Sequence, residues 1–315
     1  MKAKIISICF WALLLAFTIY IALDTFVIPK AYAANVSQNN TVMFDNTSTS
    51  VSSGSNSDGI IIAAHNSGET SDEAADDNTN ESSDPYSITL DEYYEYDTSI
   101  YVADITLSSV QYLKTAFADD TYGRNITEKT SVIAAANNAV LAINGDYYGS
   151  QENGYVIRNG VIYRDSGNSK DILCIYKDGS VSIEYASEKT AQELLDEGVW
   201  QAFCFGPALI EDSKIAVTED EEVGKAKASN PRTAIGIIDS NHFVFVVSDG
   251  RTSESEGLSL YELAEFMQSL GVTTAYNLDG GGSSTMYYNG QVINNPTTNG
   301  NQISERSVSD IVYIG

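Results

Sequence analysis

From residue 86 onward the sequence is a succession of short runs rich in β-branched and aromatic residues, separated by turn-forming residues. Two of the turns contain Asn-Gly and Asp-Gly steps between alternating apolar residues, at residues 158–161 and 177–180. Such steps favour hairpins, because Asn, Asp and Gly accept the positive φ angles that tight hairpin turns require. The runs therefore predict a strand-rich fold with several antiparallel hairpins.

Helical segments are few, and three stand out: TEKTSVIAAANNA, KTAQELLDEG and LSLYELAEFMQSLG. In the last, Ser259 and Glu262 form a capping box, and the apolar residues that follow recur at helical spacing. This helix lies between two strand-like runs, an arrangement typical of a crossover between parallel strands. The predicted fold class is α/β (mixed α+β): a large mixed sheet with antiparallel hairpins, a parallel β-α-β crossover near the C-terminus and few flanking helices.

The crossover has a consequence for two aspartates. Asp249 and Asp279 each follow one of its two strands, and each precedes a glycine. Carboxyl ends of parallel strands meet at one edge of a sheet, which is where open α/β sheets bind ligands. We therefore expect SDGR and NLDGGGSSTM to face one cleft, although Asp-Gly is also common turn chemistry.

The N-terminus carries Lys2 and Lys4 before an unbroken apolar run from Ile5 to Leu23. This length and flank predict a single membrane-spanning anchor with the rest of the chain outside the cell. The segment Ala31-Tyr32-Ala33 also fits a signal-peptidase site, so residues 1–33 are interpreted as a signal anchor or as a signal peptide cleaved after Ala33. Both readings export the rest of the chain.

Residues 34–85 contain no Lys or Arg after Ala34 and are dominated by Ser, Asn, Thr, Asp and Glu. This composition predicts a disordered acidic linker that carries the folded part, residues 86–315, away from the membrane. The formal charge of −26 argues against nucleic acid as a partner, and the membrane is expected to be contacted through the N-terminal segment alone.

The exported part contains Cys174 and Cys204 in apolar, strand-like contexts. They are interpreted either as one disulfide or as two buried small hydrophobic residues. His242, at a strand start, is interpreted as structural or exposed rather than as the base of a Ser-His-Asp triad.

Three arginines lie in Gly- or Ser-rich stretches at strand ends: Arg232, Arg251 and Arg306. Arginine suits bidentate recognition of phosphate, and the backbone N–H groups of the glycine loop around Gly281 could bind the same anion. The loop does not match a nucleotide-binding P-loop or a GxGxxG motif that opens a helix. The set of arginines therefore indicates an anion site of another kind.

In order along the chain, NGDYYG, FGPALI, NPRTAIGI, SDGR, NLDGGGSSTM and ERSVSDIVYIG resemble the motifs of the phosphodiester glycosidase family. The likeness runs from about residue 131 to the C-terminus and does not clearly cover residues 86–130. The family includes exported bacterial proteins linked to cell-surface polysaccharide. The resemblance implies hydrolysis of a sugar-1-phosphodiester, of the α-N-acetylglucosamine-1-phosphate type, at the anomeric carbon.

Matched to the family motifs, the substrate-binding residues would be Asn144, Gly145, Asp146, Gly206, Arg232, Thr233, Arg251, Asn277, Gly280, Gly281, Gly282, Ser283, Ser284 and Arg306. Many members read NGG where this chain has Asn144-Gly145-Asp146, so Asp146 is not assigned a catalytic role. An oxocarbenium-like transition state needs a carboxylate, for which Asp249 and Asp279 are the candidates. A phosphate leaving group needs charge neutralisation, which the arginines and glycine loop would supply.

Two alternatives remain open at this point. One is a non-catalytic module that binds glycan or teichoic acid. The other is a metal-dependent phosphodiesterase in which Asp146, Asp249 and Asp279 hold Ca²⁺ or Mg²⁺ through oxygen ligands. Apart from that cation, the sequence requires no cofactor.

Overall fold

The structure, a computed structural model, describes residues 2–34, 84–167, 170–223, 229–300 and 302–315. Nearly all of the predicted acidic linker, residues 34–85, lies outside this range, so its disorder stays a prediction. The described residues on both sides of the linker belong to one compact unit.

The helices of the described chain are α1 (Lys2–Phe26), α2 (Thr130–Ala136), α3 (Ala191–Asp196) and α4 (Leu260–Ser269). Helices α2 to α4 coincide with the three segments predicted from the sequence. Ser259 Oγ accepts from the backbone N–H of Glu262, and the Glu262 carboxylate accepts from that of Ser259, as the capping box predicts. Across the described residues, no helix has the length and apolar character needed to cross a membrane. The predicted membrane anchor is thus not supported there.

The strands of the first half are β1 (Lys30–Ala31), β2 (Tyr86–Glu95), β3 (Thr98–Leu107), β4 (Leu113–Phe117), β5 (Gly123–Arg124), β6 (Glu128–Lys129), β7 (Leu141–Asn144), β8 (Val156–Arg158), β9 (Val161–Arg164), β10 (Asp171–Tyr176) and β11 (Val181–Tyr185). Those of the second half are β12 (Val199–Phe203), β13 (Ala208–Glu211), β14 (Lys214–Ile215), β15 (Thr233–Asp239), β16 (His242–Ser248), β17 (Thr274–Asn277), β18 (Met286–Tyr288), β19 (Gln291–Val292), β20 (Thr297–Thr298), β21 (Gln302–Ile303), β22 (Ser307–Val308) and β23 (Asp310–Ile314).

Three larger sheets form the fold. One has seven strands in the order β14-β13-β17-β15-β16-β3-β2, and two have five, in the orders β11-β10-β12-β8-β9 and β19-β18-β7-β23-β4. Strand pairs β8–β9 and β10–β11 are the hairpins predicted from the Asn-Gly and Asp-Gly steps. Asn159 and Gly160 both have positive φ, which is the conformation that such a turn demands. The strand-rich mixed architecture predicted from the sequence is confirmed.

The crossover predicted around α4 is present with one difference. Strand β15 pairs antiparallel with both β16 and β17, so β16 and β17 run parallel to each other with β15 between them. The carboxyl ends of β16 and β17 thus lie at the same edge of the sheet, but one strand apart. Asp249, after β16, and Asp279, after β17, are therefore separated by the width of strand β15.

The core has two main layers. One face of the seven-stranded sheet packs against both five-stranded sheets, through buried residues such as Ile105, Phe245, Tyr276, Leu173 and Val312. Helix α4 covers the opposite face, where its apolar side packs on Val244, Val246 and neighbouring residues of the sheet. Strand β3 pairs with β16 over seven positions, so residues 86–107 are an integral part of the same fold.

The segment that follows helix α1 contacts the catalytic part directly. Strand β1 pairs antiparallel with β5, and the backbone N–H of Tyr32 donates to the carbonyl of Tyr122 at 2.8 Å. The centroids of the Tyr32 and Tyr122 rings lie 6.0 Å apart. The chain on the N-terminal side of the linker is therefore held against the domain that begins on its other side.

Candidate active site

The loop after β17 carries Asp279, and its carboxylate lies beside two partners. Oδ2 accepts hydrogen bonds from Ser283 Oγ at 2.6 Å and from Arg306 Nη2 at 2.8 Å. Ser283 Oγ in turn accepts from Arg306 Nε at 2.8 Å. The three side chains form a closed triangle of charge-assisted hydrogen bonds, which fixes the carboxylate in one orientation.

Burial dominates the protonation of Asp279. Removal from water raises the pKa of this carboxyl above its ordinary value, and Arg306 is the largest of the influences that lower it. Arg306 itself is partly exposed, whereas the Asp279 side chain is largely buried. The pKa of this carboxyl is thus set by burial and a neighbouring cation acting in opposite directions, a pattern that clusters at functional sites.

A second guanidinium lies close to the first. Arg251, whose backbone φ is +65°, donates from Nη2 and Nε to Asn230 Oδ1 at 3.0 and 3.3 Å. Burial lowers the pKa of Arg251, and the nearby positive charge of Arg306 lowers it further. Among the described residues no carboxylate forms an ion pair with Arg251. Two close cations, of which Arg306 alone is paired with a carboxylate, leave excess positive charge, which is suited to an anionic ligand.

Larger residues would not fit at the glycines of this loop, because neighbouring protein atoms occupy the space that a Cβ atom would need. A Cβ at Gly281, where φ is +64°, would lie 2.7 Å from Arg251 Nη2, and one at Gly280 would lie 2.9 Å from the carbonyl oxygen of Pro231. At Gly282 the nearest atom would be Thr298 Oγ1 at 3.0 Å. The loop thus lets the Arg251 guanidinium approach the backbone closely.

Three predicted substrate-binding residues hold the backbone of Asp279 in place through hydrogen bonds. Asn144 Nδ2 donates to the Asp279 carbonyl at 2.6 Å, and the Asp279 N–H donates to the carbonyl of Gly145 at 3.3 Å. Thr233 Oγ1 donates to Asn144 Oδ1 at 2.8 Å. Asn144 and Thr233 are fully buried and outside the cleft lining, so they position the Asp279 loop rather than line the cleft.

Asp249 does not share the surroundings of Asp279. Its Oδ1 accepts from the backbone N–H of Asn295 at 2.8 Å and from Asn294 Nδ2 at 3.2 Å, while Oδ2 accepts from Asn295 Nδ2 at 3.0 Å. Tyr101 adds a long contact of 3.4 Å. The carboxylate is buried and lies outside the cleft lining. Its predicted catalytic role has no geometric support, because strand β15 separates it from Asp279 and the 294–295 turn occupies its oxygens.

Asp146 belongs to a buried ion cluster. Arg158, fully buried, contacts Asp146 Oδ1 through Nη2 at 2.8 Å and donates from Nε to Asp310 Oδ2 at 2.9 Å. Asp146 Oδ2 accepts from the backbone N–H of Cys204 at 2.9 Å. Burial raises the pKa of Asp310 to about 7, against the opposing influence of Arg158. Asp146 therefore anchors the NGD loop to the segment that leads to Phe205, and it is not a ligand-facing group.

The same ion cluster accounts for glycine at position 145. A Cβ at this position would lie 2.1 Å from Asp310 Oδ1, a distance that no side chain can occupy. The backbone N–H of Gly145 also donates to the Asp310 carbonyl at 2.9 Å. Glycine is thus required at the centre of NGD by the packing of Asp310.

The donor set proposed for Ca²⁺ or Mg²⁺ is not assembled. Asp146 is bound to Arg158, Asp249 to the 294–295 turn and Asp279 to Arg306, each in a different place. Within the described ranges there is no group of three or more His, Cys, Asp or Glu side chains that could hold a metal ion. In this structure the three aspartates are therefore held apart by separate partners, and a divalent cation at the site stays a prediction.

The remaining serines and the cysteines have structural surroundings. Ser284 Oγ is buried, and the Ser284 carbonyl accepts from Asn294 Nδ2 at 3.0 Å. His242 Nε2 lies 3.0 Å from Asp104 Oδ1, on a side chain that does not line the cleft. Cys174 and Cys204 are both buried and are not joined in a disulfide, which is the second of the two interpretations offered from the sequence.

The cleft at Asp279, here named the arginine cleft, has a volume of about 160 Å³. Its lining comprises Phe205, Val223, Asn230, Arg232, Arg251, Asn277, Leu278, Asp279, Gly280, Gly281 and Arg306. All three arginines predicted to gather at one anion site are among these residues. Gly282, Ser283 and Ser284 lie behind the lining, where Ser283 supports Asp279 and the Gly282 carbonyl accepts from the Arg306 N–H.

Arg232 differs from Arg306 because the acid that it pairs with, Glu222, does not line the arginine cleft. Its Nη2 donates to Glu222 Oε2 at 2.9 Å, and its Nε donates to the Leu258 carbonyl at 2.8 Å. Burial is the largest influence on Arg232 and lowers its pKa, whereas Glu222 raises it. Arg232 thus ties the segment that contains Glu222 and Val223 to the wall of the cleft.

A second cavity of about 380 Å³, here named the side cavity, shares Phe205 and Val223 with the arginine cleft. It is lined in addition by Lys170, Asp171, Gly206, Pro207 and Glu222. Gly206, predicted from FGP, is therefore at this cavity, and its carbonyl accepts from Asn277 Nδ2 at 2.9 Å. A further cavity of about 430 Å³, lined by tyrosines 32, 122, 148 and 163, contains none of the predicted site residues.

Sequence reasoning missed Phe205, Val223, Asn230 and Leu278 in the arginine cleft and Lys170, Asp171, Pro207 and Glu222 in the side cavity. Phe205, Pro207, Asn230 and Leu278 stand next to predicted residues within the quoted motifs, so the motifs could have indicated them. Val223 and Glu222 lie in an acidic stretch with no local signal, and only the ion pair with Arg232 brings them to the site.

Comparisons with known proteins place this site in context. The sequence pattern described as phosphodiester glycosidase matches residues 137–315. An uncharacterised SPbeta prophage-derived protein, YomE, of Bacillus subtilis is 31% identical over 61% of this chain and 30% of its own length. N-acetylglucosamine-1-phosphodiester α-N-acetylglucosaminidase of Mus musculus is 30% identical over 55% of this chain and 36% of its own length. The chain therefore spans about a third of the length of these curated relatives.

The fold also has a counterpart among solved structures. The catalytic domain of the zebrafish N-acetylglucosamine-1-phosphodiester α-N-acetylglucosaminidase, auto-inhibited by its pro-peptide, superimposes with a TM-score of 0.58 at 20% identity. The match covers 73% of this chain and 82% of that domain. At this identity the likeness shows a shared fold. The motifs that build the arginine cleft lie inside the matched range, and the chain belongs to the phosphodiester glycosidase family.

Proposed function

We propose that this protein hydrolyses a sugar-1-phosphodiester, of the α-N-acetylglucosamine-1-phosphate type, at the anomeric carbon. The observation that carries the proposal is one cleft that holds the Asp279 carboxylate together with the Arg251 and Arg306 guanidiniums. Family membership and the name of the mouse relative support the same reaction. The products would be the free sugar and a phosphomonoester.

The Asp279 carboxylate would act at the anomeric centre. As the bond between C1 and the phosphate oxygen breaks, the phosphate keeps the bonding electron pair and positive charge develops on C1 and the ring oxygen. A carboxylate held in place by Ser283 and Arg306 stabilises that charge without reorganising. Water supplies the hydroxyl group that ends on C1, and its remaining proton is released.

Arg251 and Arg306 would neutralise the departing phosphate. Arg251 has no carboxylate partner among the described residues, so its charge is available to an anion. A phosphate group leaves readily once its charge is balanced, which reduces the need for a strong general acid. This fits a cleft in which Asp279 is the one carboxylate among the described lining residues.

Asp249 has a positioning role in this proposal. It holds the turn at Asn294 and Asn295, and Asn294 in turn donates to the Ser284 carbonyl and accepts from the Met286 N–H. Through these contacts Asp249 fixes the exit of the glycine loop. A charge-conserving or isosteric change there would alter activity through loop geometry rather than through direct contact with the substrate.

The proposed place of action is outside the cytoplasm, on cell-surface or extracellular polysaccharide. Support comes from the basic residues Lys2 and Lys4 before an apolar run and from the Ala31-Tyr32-Ala33 pattern. Fractionation of cells that express the full chain, with N-terminal sequencing of the product, tests this directly. Recovery of all the protein in the cytoplasm would reject it.

Product analysis on a synthetic α-N-acetylglucosamine-1-phosphodiester tests the reaction. Free sugar with a phosphomonoester supports the proposal. Sugar-1-phosphate with an alcohol would instead show a phosphodiesterase, and binding without products would show a glycan-binding module. Repeating the assay in chelator measures whether a divalent cation contributes.

A further inference from the structure

The arginine cleft is too small to hold a whole substrate. Its volume of about 160 Å³ lies below the roughly 300–1,000 Å³ that is common for small-molecule sites. The charged groups around it, three guanidiniums and a carboxylate, suit a phosphate and an anomeric carbon rather than a sugar ring. The rest of a sugar-1-phosphodiester must therefore extend beyond this cleft.

The side cavity is the adjoining space. At about 380 Å³ it falls within the usual range, and Phe205 and Val223 line both it and the arginine cleft. Phe205 presents a partly exposed aromatic ring in this shared wall, and Lys170 Nζ lies 5.1 Å from the ring centroid. An aromatic ring buries the apolar C–H face of a sugar well, since it offers a large rigid surface.

Unsatisfied acceptors lie near the same boundary. Glu222 Oε1 and Asn277 Oδ1 are buried and have no hydrogen-bond donor in the described part of the chain. Glu222 lines the side cavity and Asn277 lines the arginine cleft. Buried acceptors without donors are unfavourable in isolation, and sugar hydroxyl and acetamido N–H groups are donors that would satisfy them.

We infer that the side cavity is the subsite for the sugar ring, with Phe205 as its stacking surface and Glu222 as a polar group that selects among sugars. The inference rests on the proposed function, because it places the anomeric carbon at the boundary beside Asp279 and the phosphate at Arg251 and Arg306. Sugar and phosphate then bind to two separable sets of residues.

Separate probes test this division. Ligand-observed NMR titrations of the full chain with free N-acetylglucosamine, and with inorganic phosphate, give the two affinities independently. Phe205→Ala should weaken sugar binding about tenfold and leave phosphate binding unchanged, whereas Arg306→Met should do the reverse. Tyr94→Ala removes an exposed tyrosine from the edge strand β2 and is the matched control that should change neither.

Phe205 packs partly against the core, so Phe205→Ala could lower stability as well as sugar affinity. A second variant separates the two effects. Phe205→Leu keeps apolar volume but lacks the aromatic face, and it should retain the wild-type melting temperature while still weakening sugar binding. Glu222→Gln should alter the preference of the protein for N-acetylglucosamine over glucose. A wild-type protein that binds no free sugar, or a folded Phe205→Leu protein with unchanged sugar affinity, overturns the inference.

The failure of this inference is distinguishable from failure of the proposed function. Hydrolysis together with sugar affinity that is independent of Phe205 would keep the function and reject the subsite. Sugar binding that depends on Phe205, without hydrolysis of any phosphodiester, would support the subsite and reject the function.

Discussion

Asp279 and Arg306, 27 positions apart in the chain, form a 2.8 Å ion pair across the glycine loop, with Ser283 bridging them. The pair is asymmetric, because the carboxylate is largely buried and the guanidinium is 42% exposed. A ligand can therefore reach the arginine from solvent while the carboxylate stays fixed behind it. The ion pair couples the pKa of Asp279, the proposed catalytic group, to the charge of Arg306.

Removing Arg306 should shift the pH dependence of activity. Burial raises the pKa of Asp279 and Arg306 lowers it, so Arg306→Met should raise that pKa further. Asp279 must be ionised to act, and the acid limb of kcat/KM should therefore move to higher pH. Arg306→Lys, which keeps the positive charge, is the control and should move it less. If the acid limb of kcat/KM lies at the same pH in Arg306→Met as in wild type, the ionisation of Asp279 does not determine that limb.

Alanine at Gly281 should affect anion binding as well as stability. Gly281 and Gly290 both have positive φ, at which a non-glycine residue costs about 1–2 kcal/mol. A Cβ at Gly281 would also displace Arg251 Nη2, whereas nothing lies within 4 Å of a Cβ at Gly290. We expect Gly281→Ala and Gly290→Ala to lose comparable stability in denaturant melts.

The two glycine variants should then separate in phosphate binding. Gly281→Ala should weaken it because the guanidinium moves, and Gly290→Ala should not. Equal phosphate affinities in two folded variants would mean that the close approach of Arg251 to the loop has no part in anion binding.

Asp310 should make stability depend on pH. Its folded-state pKa is raised to about 7 from 3.8, so the folded chain binds more protons than the unfolded chain between these values. The stabilising contribution is fully present below the unfolded pKa and is lost as the pH rises through about 7. Asp310→Asn cannot titrate, so its free energy of unfolding relative to wild type should increase between about pH 5 and about pH 8.

Urea unfolding at several pH values measures this difference. Glu188→Gln, at an exposed position, is the control for the loss of one negative charge from a strongly acidic chain. A pH-independent difference between Asp310→Asn and wild type would contradict the assignment of a raised pKa to Asp310.

Local features of the fold were predictable from the sequence, because they depend on neighbouring residues. The turns at Asn159-Gly160 and Asp178-Gly179 and the capping box of Ser259 and Glu262 need only short-range contacts, and all are present. The grouping of Arg232 and Arg251 was also predictable, since Arg232 precedes β15 and Arg251 follows β16 at the same edge of the seven-stranded sheet. Arg306 precedes β22, which belongs to a different sheet, and its place in the group was indicated by the Ser-rich stretch around it.

What escaped prediction depends on contacts between distant segments. Local patterns do not reveal that β15 lies between β16 and β17, and that insertion separates Asp249 from Asp279. Nor do they reveal that Arg158 pairs with Asp146 and Asp310, which makes NGD a structural loop. Glu222 reaches the site through an ion pair formed by two otherwise unremarkable charges.

The central claim is that the Asp279 carboxylate acts at the anomeric centre. Asp279→Asn is nearly isosteric and keeps an acceptor for Ser283 and Arg306 while it removes the charge. On an α-N-acetylglucosamine-1-phosphodiester, kcat should fall by about a thousandfold with a much smaller change in KM. Asp239→Asn, on an exposed hairpin, is the control that should keep wild-type turnover.

The decisive measurement is kcat for wild type and Asp279→Asn, taken on the same samples whose melting temperatures are recorded. We expect the Asp279→Asn protein to be folded and to release almost no free sugar. A folded Asp279→Asn protein with near-normal turnover would contradict it.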